Sequence, residues 1–148
     1  VWPSYRYPAH PSQTVRDRIE RVLSGLTLEE KIGQLVQADL CCVTPKDVRD
    51  YHLGSILVGG NSGPNGNDFA LAPEWLKAAD AFYDASVDRA GGRAGIPVVW
   101  GIDAVHGHSN IIGATLFPHN VGLGAMRDAA LIEIGEITAV EIRVTGQE

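Results

Sequence analysis

The 148-residue chain has no apolar run approaching the roughly 18–20 residues that a bilayer-spanning helix needs, so no membrane segment is expected. Cysteine is scarce. Cys41 and Cys42 are the only two, and they are adjacent. Sequence neighbours pair only with strain and no metal-type spacing surrounds them, so both are expected to be free and buried. Positive charge is in deficit: 12 Lys and Arg face 18 Asp and Glu, for a formal charge of −6. That balance argues against nucleic acid or an anionic membrane as the main partner. The one local basic group, Arg16, Arg18 and Arg21, is interleaved with Asp17 and Glu20 and reads as a solvated helix face. Internal repeats, charged tails and low-complexity segments are absent. Gly59-Gly60 lacks G-x-G-x-x-G spacing and runs into a polar loop, and no Walker-type lysine follows any glycine loop, which argues against nucleotide sites. The chain opens on Val1 without a signal peptide, so its N-terminus is expected to be processed or trimmed.

At 45% hydrophobic and 20% charged, the composition is that of a globular domain able to bury about 70% of its unfolded surface. Residues 1–13, with Pro3, Pro8 and Pro11 among Trp and Tyr, read as an extended arm, and residues 14–148 as helices and short strands. Val15, Ile19, Val22 and Leu23 mark one helical face closed by Gly25. Thr27-Leu-Glu-Glu30 is a capping box that opens a second helix through about Gln34, leading into the apolar stretch 35–40. Thr44-Pro45 starts another helix, with Gly54 as the expected stop. Residues 73–90 form a helix with Trp75, Leu76, Ala79, Phe82 and Tyr83 on its apolar side. A last helix from near Asp128 should bury Leu131, Ile134, Thr138 and Ile142 and stop at Gly146.

Two runs read as buried strands, Ser55–Val58 and Ile96–Ile102. Buried strands alternating with helices imply a parallel sheet with helices over it. Right-handed β-α-β order then leaves an open doubly wound sheet or a barrel. The second strand runs into a loop carrying Asp103, His106 and His108, which continues to Phe117-Pro118-His119-Asn120. A carboxylate at the carboxyl end of a parallel strand sits where α/β enzymes place ligand-binding groups, so the chemistry is expected there.

Several of these residues have a bland reading beside the sharp one. Asp103 alone is either a functional carboxylate or an ordinary cap. His106 and His108 form a His-x-His pair that could bind metal, since alternate side chains share a face. No further ligand set accompanies them, which favours hydrogen-bonded shaping of a pocket floor. His119 with Asn120 reads as a turn brace rather than a general base. The loop 61–68 either borders a ligand or only connects. Trp100, inside a V-V-W-G strand, reads as core. Glu29, Glu30 and Asp88 read as helix-surface carboxylates.

Leu26-Thr-Leu-Glu-Glu-Lys-Ile-Gly-Gln-Leu35 and Trp100-Gly-Ile-Asp-Ala-Val-His-Gly-His108 resemble glycoside hydrolase family 3, the bacterial β-glucosidase and exo-β-glucanase type. The resemblance continues through Tyr51-His-Leu-Gly-Ser-Ile-Leu-Val-Gly-Gly60, the stretch 113–124 and the stretch 138–146. It implies the N-terminal portion of a (β/α)8 TIM-like barrel, about three strand–helix units and incomplete, since a whole barrel needs about 250 residues. It implies a retaining, exo-acting hydrolase that releases glucose from non-reducing ends of β-glucosides and β-glucans, with no metal or organic cofactor. Asp103 occupies the family's sugar-binding carboxylate, an acceptor for two neighbouring hydroxyls. The family's nucleophile and acid/base lie in segments with no counterpart here, so no catalytic residue is expected within this chain and it should be inactive alone. Its expected partners are the β-glucan substrate and the remainder of the barrel with a C-terminal domain, and its expected location is periplasmic or secreted.

Two further readings stay open. One is a metal-dependent barrel hydrolase using His106 and His108; the other is a non-catalytic sugar-binding fragment. A parallel sheet of three strands also leaves unpaired edges and an uncovered face, so the isolated chain is expected to be poorly soluble or oligomeric.

Overall fold

The computed structural model describes residues 11–60, 62–128 and 131–147. Most of the proposed arm at 1–13 therefore lies outside the described residues, as does Asn61 of the polar loop.

Local chemistry explains most helix starts. Ser12 caps α1 (Gln13–Gly25), accepting from the Val15 N–H. In α2 (Leu28–Gln34) the capping box is complete: Thr27 Oγ1 accepts from the Glu30 N–H and Glu30 Oε2 accepts from the Thr27 N–H. α3 (Pro45–Tyr51) repeats the device with Thr44 and Asp47, with Pro45 in the first turn. It ends at His52, which takes a left-handed conformation (φ 57°), so Gly54 is not the stop expected from the sequence. Gly54 serves another purpose. Its N–H donates to Gly33 O at 3.0 Å, and a Cβ there would lie 2.2 Å from Gln34 O. A Cβ on Gly33 would meet Tyr51 O at 2.1 Å, so only paired glycines let these two segments touch.

Three parallel strands follow in sheet order β1-β2-β3: β1 (Gln37–Asp39), β2 (Ser55–Leu57) and β3 (Val99–Gly101). Residues Asp39, Leu57 and Gly101 lie in register at their carboxyl ends. β3 is shorter than the expected 96–102 strand. The Val98 N–H donates to Ser86 Oγ of the preceding helix rather than to a strand. The strand is also covered on one face only: Val98 and Trp100 are buried while Val99 is exposed.

The core lies between the sheet and the helix pair α3 and α4 (Ala72–Val87). Val48, Ile56, Val58 and Trp75 are almost completely enclosed. Each such aliphatic side chain contributes about 1.5–3 kcal/mol by leaving water. Trp100 is core, as expected, with its ring 5.1 Å from that of Phe82. On α4, Trp75, Ala79 and Phe82 face this core, whereas Leu76 and Tyr83 are exposed, so the buried stripe is narrower than the sequence suggests.

Other features differ from the sequence reading or add to it. Cys41 and Cys42 are free but exposed; Leu40 takes the inward position of the 3-10 turn Leu40–Cys42, leaving both thiols outward at a sheet edge. The apolar face of α1 is exposed at Val15, Ile19, Val22 and Leu23. A seven-residue helix, α5 (Asn120–Met126), has no counterpart in the sequence-based expectations. α6 (Ile132–Val144) begins later than expected, and Ile134, Thr138 and Ile142 are only half-buried. Its stop near Gly146 holds, with that glycine left-handed (φ 78°). No helix among the described residues is long and apolar enough to cross a membrane.

Candidate functional site

All three strands point their carboxyl ends the same way, so the segments that follow them gather at one end of the sheet. Asp39 closes β1, the Gly59–Ser62 turn follows β2, and Asp103 lies two residues beyond β3.

Asp103 is exposed and makes no hydrogen bond or ion pair with the described residues. The loop that carries it is held at several points. Ala104, the next residue, is left-handed (φ 51°), a conformation that costs a non-glycine residue about 1–2 kcal/mol. Gly107 is also left-handed (φ 75°), and a Cβ on it would lie 2.8 Å from Thr115 O. Between them His106 is exposed and pairs with Phe117 twice: the Phe117 N–H donates to His106 O, and His106 Nδ1 lies 3.0 Å from Phe117 O. A carbonyl only accepts, so Nδ1 carries the proton.

His108 is different. It is fully enclosed, and its Nε2 lies 2.8 Å from Thr145 Oγ1 at the end of α6. Thr145 Oγ1 already donates its proton to Ile142 O, so the imidazole Nε2–H is the donor. Its Nδ1 has no partner among the described residues. Burial pushes this imidazole below its ordinary value, with the Glu141 carboxylate opposing. Thus one histidine braces the loop at the surface and the other anchors it inside. They take opposite tautomers and separate partners, and no group of three potential metal ligands occurs among the described residues. Thr115 adds another hold, its N–H and hydroxyl both donating to Glu141. His119 accepts from the Val121 N–H through Nδ1 and caps α5. Its ring meets that of His106 edge-on at 5.2 Å.

Asp39, not singled out from the sequence, is the second carboxylate at this end. It accepts from Ser62 Oγ at 2.6 Å and from the Cys41 N–H at 2.9 Å. Those hydrogen bonds, that from Ser62 first, hold its carboxyl below the usual carboxylate range. On the other side of the same turn, Asn110 Nδ2 donates to Gly60 O at 2.7 Å. The turn after β2 is therefore gripped from the end of β1 on one side and from the loop after β3 on the other. The signal for Asp39 was available: a carboxylate closing a short apolar run, as with Asp103.

A cavity of about 240 Å³ opens beside this turn, bordered by Ser62, Asp68, Trp75, Ser109 and Asn110. Asp103 does not line it. A second, water-sized gap of about 20 Å³ lies among residues preceding the strands, away from these carboxylates. Glu30 belongs to that opposite end: it is buried rather than a helix-surface residue, because its Oε1 also accepts from the Ala94 N–H. The Thr27 and Ala94 amides together hold its carboxyl low. Asp88 caps the end of α4 and pairs with Arg93.

With this geometry in hand, comparison with known proteins is consistent. The profile of the glycosyl hydrolase family 3 N terminal domain matches residues 27–148. A lysosomal beta glucosidase of Dictyostelium discoideum is 30% identical over 72% of this chain, which spans 14% of that protein. The crystal structure of an exo-1,3/1,4-beta-glucanase from a Pseudoalteromonas species aligns with 93% of this chain at 48% identity and a TM-score of 0.84. This chain spans 17% of that structure. A point mutant of the same glucanase gives the same identity and TM-score, with 22% of its chain covered.

Proposed function

Since the chain belongs to glycosyl hydrolase family 3 and is related to its β-glucosidases and glucanases, we propose that it forms the first part of the catalytic barrel of a retaining, exo-acting β-glucosidase. The sequential strand order β1-β2-β3 is that of a barrel and equally of one half of a doubly wound sheet, so the barrel is supported by the family relationship rather than by the strand order. The observation that carries the functional reading is Asp103, exposed at the carboxyl end of β3 on a loop braced by His106, His108 and Thr115.

In this reading the ionised Asp103 accepts from two adjacent hydroxyls of the terminal glucose, which orients the ring and rejects sugars of other configuration. The histidines shape and stiffen the loop and do not touch the reacting atoms. Retention of configuration requires two further carboxyl groups about 5–5.5 Å apart, one attacking the anomeric carbon and one serving as acid and then base. Polypeptide outside these 148 residues supplies both, along with the rest of the barrel and a C-terminal domain. β-Glucosides and β-glucan oligosaccharides are the substrates, and no metal or organic cofactor takes part. A periplasmic or secreted location goes with this reading on the strength of the resemblance alone.

The test is hydrolysis of an aryl β-glucoside by the 148-residue chain and by a longer polypeptide extended through the full gene. Hydrolysis is expected only in the longer protein. There Asp103→Ala should lower kcat/KM about a hundredfold or more, the loss of two hydrogen bonds to a charged acceptor. Hydrolysis by the short chain alone would mean that the catalytic pair lies within it and would overturn the assignment.

A further inference from the structure

We infer that Cys41 and Cys42 form a chelating site for an organic trivalent arsenical, one arsenic centre being held by both sulfurs. These are the only thiols in the chain, both are exposed, and their Sγ atoms lie 3.5 Å apart. The turn that carries them is anchored twice: Leu40 is buried in the core, and the Cys41 N–H donates to Asp39 Oδ1 at 2.9 Å.

The spacing selects the ligand. With bonds of about 2.3 Å from sulfur to the bound atom, as in zinc thiolates, two sulfurs 3.5 Å apart subtend roughly 100°. A centre that binds two thiolates in a line would need them about 4.6 Å apart on the same bond length. A pyramidal centre suits the angle. A tetrahedral ion would need further protein donors, and no group of three potential ligands occurs among the described residues. An arsenic that already carries one carbon needs only two sulfurs, because its lone pair fills the remaining position. Oxidation to a disulfide is the competing fate. It would draw the sulfurs to about 2.05 Å while adjacent Cα atoms stay about 3.8 Å apart, below the usual disulfide span, so that bond is strained and readily reduced.

Phenylarsine oxide reacts without an oxidant. Two As–S bonds form, the bonds from arsenic to oxygen break, and both thiol protons leave with that oxygen as one water; arsenic remains trivalent. After the first bond, closure of the second is intramolecular and is favoured by effective concentration.

The reduced full chain would be titrated with phenylarsine oxide, followed by intact mass and by counting remaining thiols. One phenylarsine per chain is expected, with both thiols lost together. The adduct should survive excess 2-mercaptoethanol and be released by 2,3-dimercaptopropanol. Cys41→Ser and Cys42→Ser should each give an adduct that the monothiol removes. Because folding holds the sulfurs together beforehand, the native chain should bind about tenfold or more tightly than the urea-unfolded chain. Two arsenicals per chain, removal by the monothiol, or equal affinity in the folded and unfolded chains would overturn the inference.

Discussion

The imidazole of His108 donates from Nε2 to Thr145 Oγ1 at 2.8 Å, joining the loop after β3 to the end of α6 across 37 positions of sequence. No residue within α6 is itself buried, so this enclosed bond is a principal anchor of the helix end. Thr145→Val keeps the shape and leaves the Nε2–H buried without an acceptor, which should cost about 1–3 kcal/mol. Amide exchange should show α6 losing protection before the sheet does. Unchanged protection in α6 would mean that other contacts hold it.

The same residue sets a pH dependence. Burial lowers the folded pKa of His108, so the unfolded chain binds more protons over the window between the lowered folded value and the ordinary histidine value of about 6.5. Its contribution is therefore complete above about pH 6.5 and is lost as pH falls through the folded value. The urea midpoint should drop between about pH 7.5 and pH 5, and His108→Gln should flatten that drop. An equal slope in both proteins would show that other groups cause it.

Asp39 acts on the acid side. Its folded pKa is also lowered, so its contribution is present above the unfolded value of about 3.9 and is lost as pH falls through the folded one. Asp39→Ala should cost about 1–2 kcal/mol at neutral pH, because Ser62 Oγ is left without its acceptor. Acid titration of stability in the two proteins should converge at low pH. A constant gap would place the effect in packing rather than in the carboxylate.

Gly33→Ala and Gly54→Ala should each destabilise by about 3 kcal/mol or more, or prevent folding, since each new Cβ would meet backbone oxygen at 2.1 and 2.2 Å respectively. Gly25→Ala is the control, with nothing within 4 Å of the added carbon. Equal behaviour of the three variants in a thermal melt would contradict the close approach of α2 to the end of α3.

The chain in isolation should self-associate or be poorly soluble. Leu35 is 88% exposed, Phe69 76%, Val121 75% and Ile132 73%, and both β1 and β3 are sheet edges. Size-exclusion chromatography with light scattering should find oligomers. A monomer with one sharp melting transition would overturn this expectation.

The parts legible in the sequence are those set by residues three or four apart. The Thr27–Glu30 box, the start at Thr44-Pro45, the strand expected at 55–58 and found at 55–57, and the apolar face of α1 all follow from local spacing. α5 was not legible, because Gly122 and Gly124 weaken its helical signal and its start depends on a histidine cap. Asp103 could be singled out at its strand end, but Asp39 could not be tied to Ser62 before the turn after β2 was placed.

What the sequence determined by itself was the capped starts of α2 and α3, the parallel α/β class and the loop that carries Asp103, since capping, periodicity and motif spacing act within one segment. Tertiary structure decided which apolar faces are covered, that both cysteines face outward, and that His106 stays at the surface while His108 is enclosed. It also decided the second partner of Glu30, the Ala94 N–H, 64 positions away. Such contacts join groups that only the packing of sheet against helices brings within hydrogen-bonding distance, and no local preference of the chain encodes which distant group arrives.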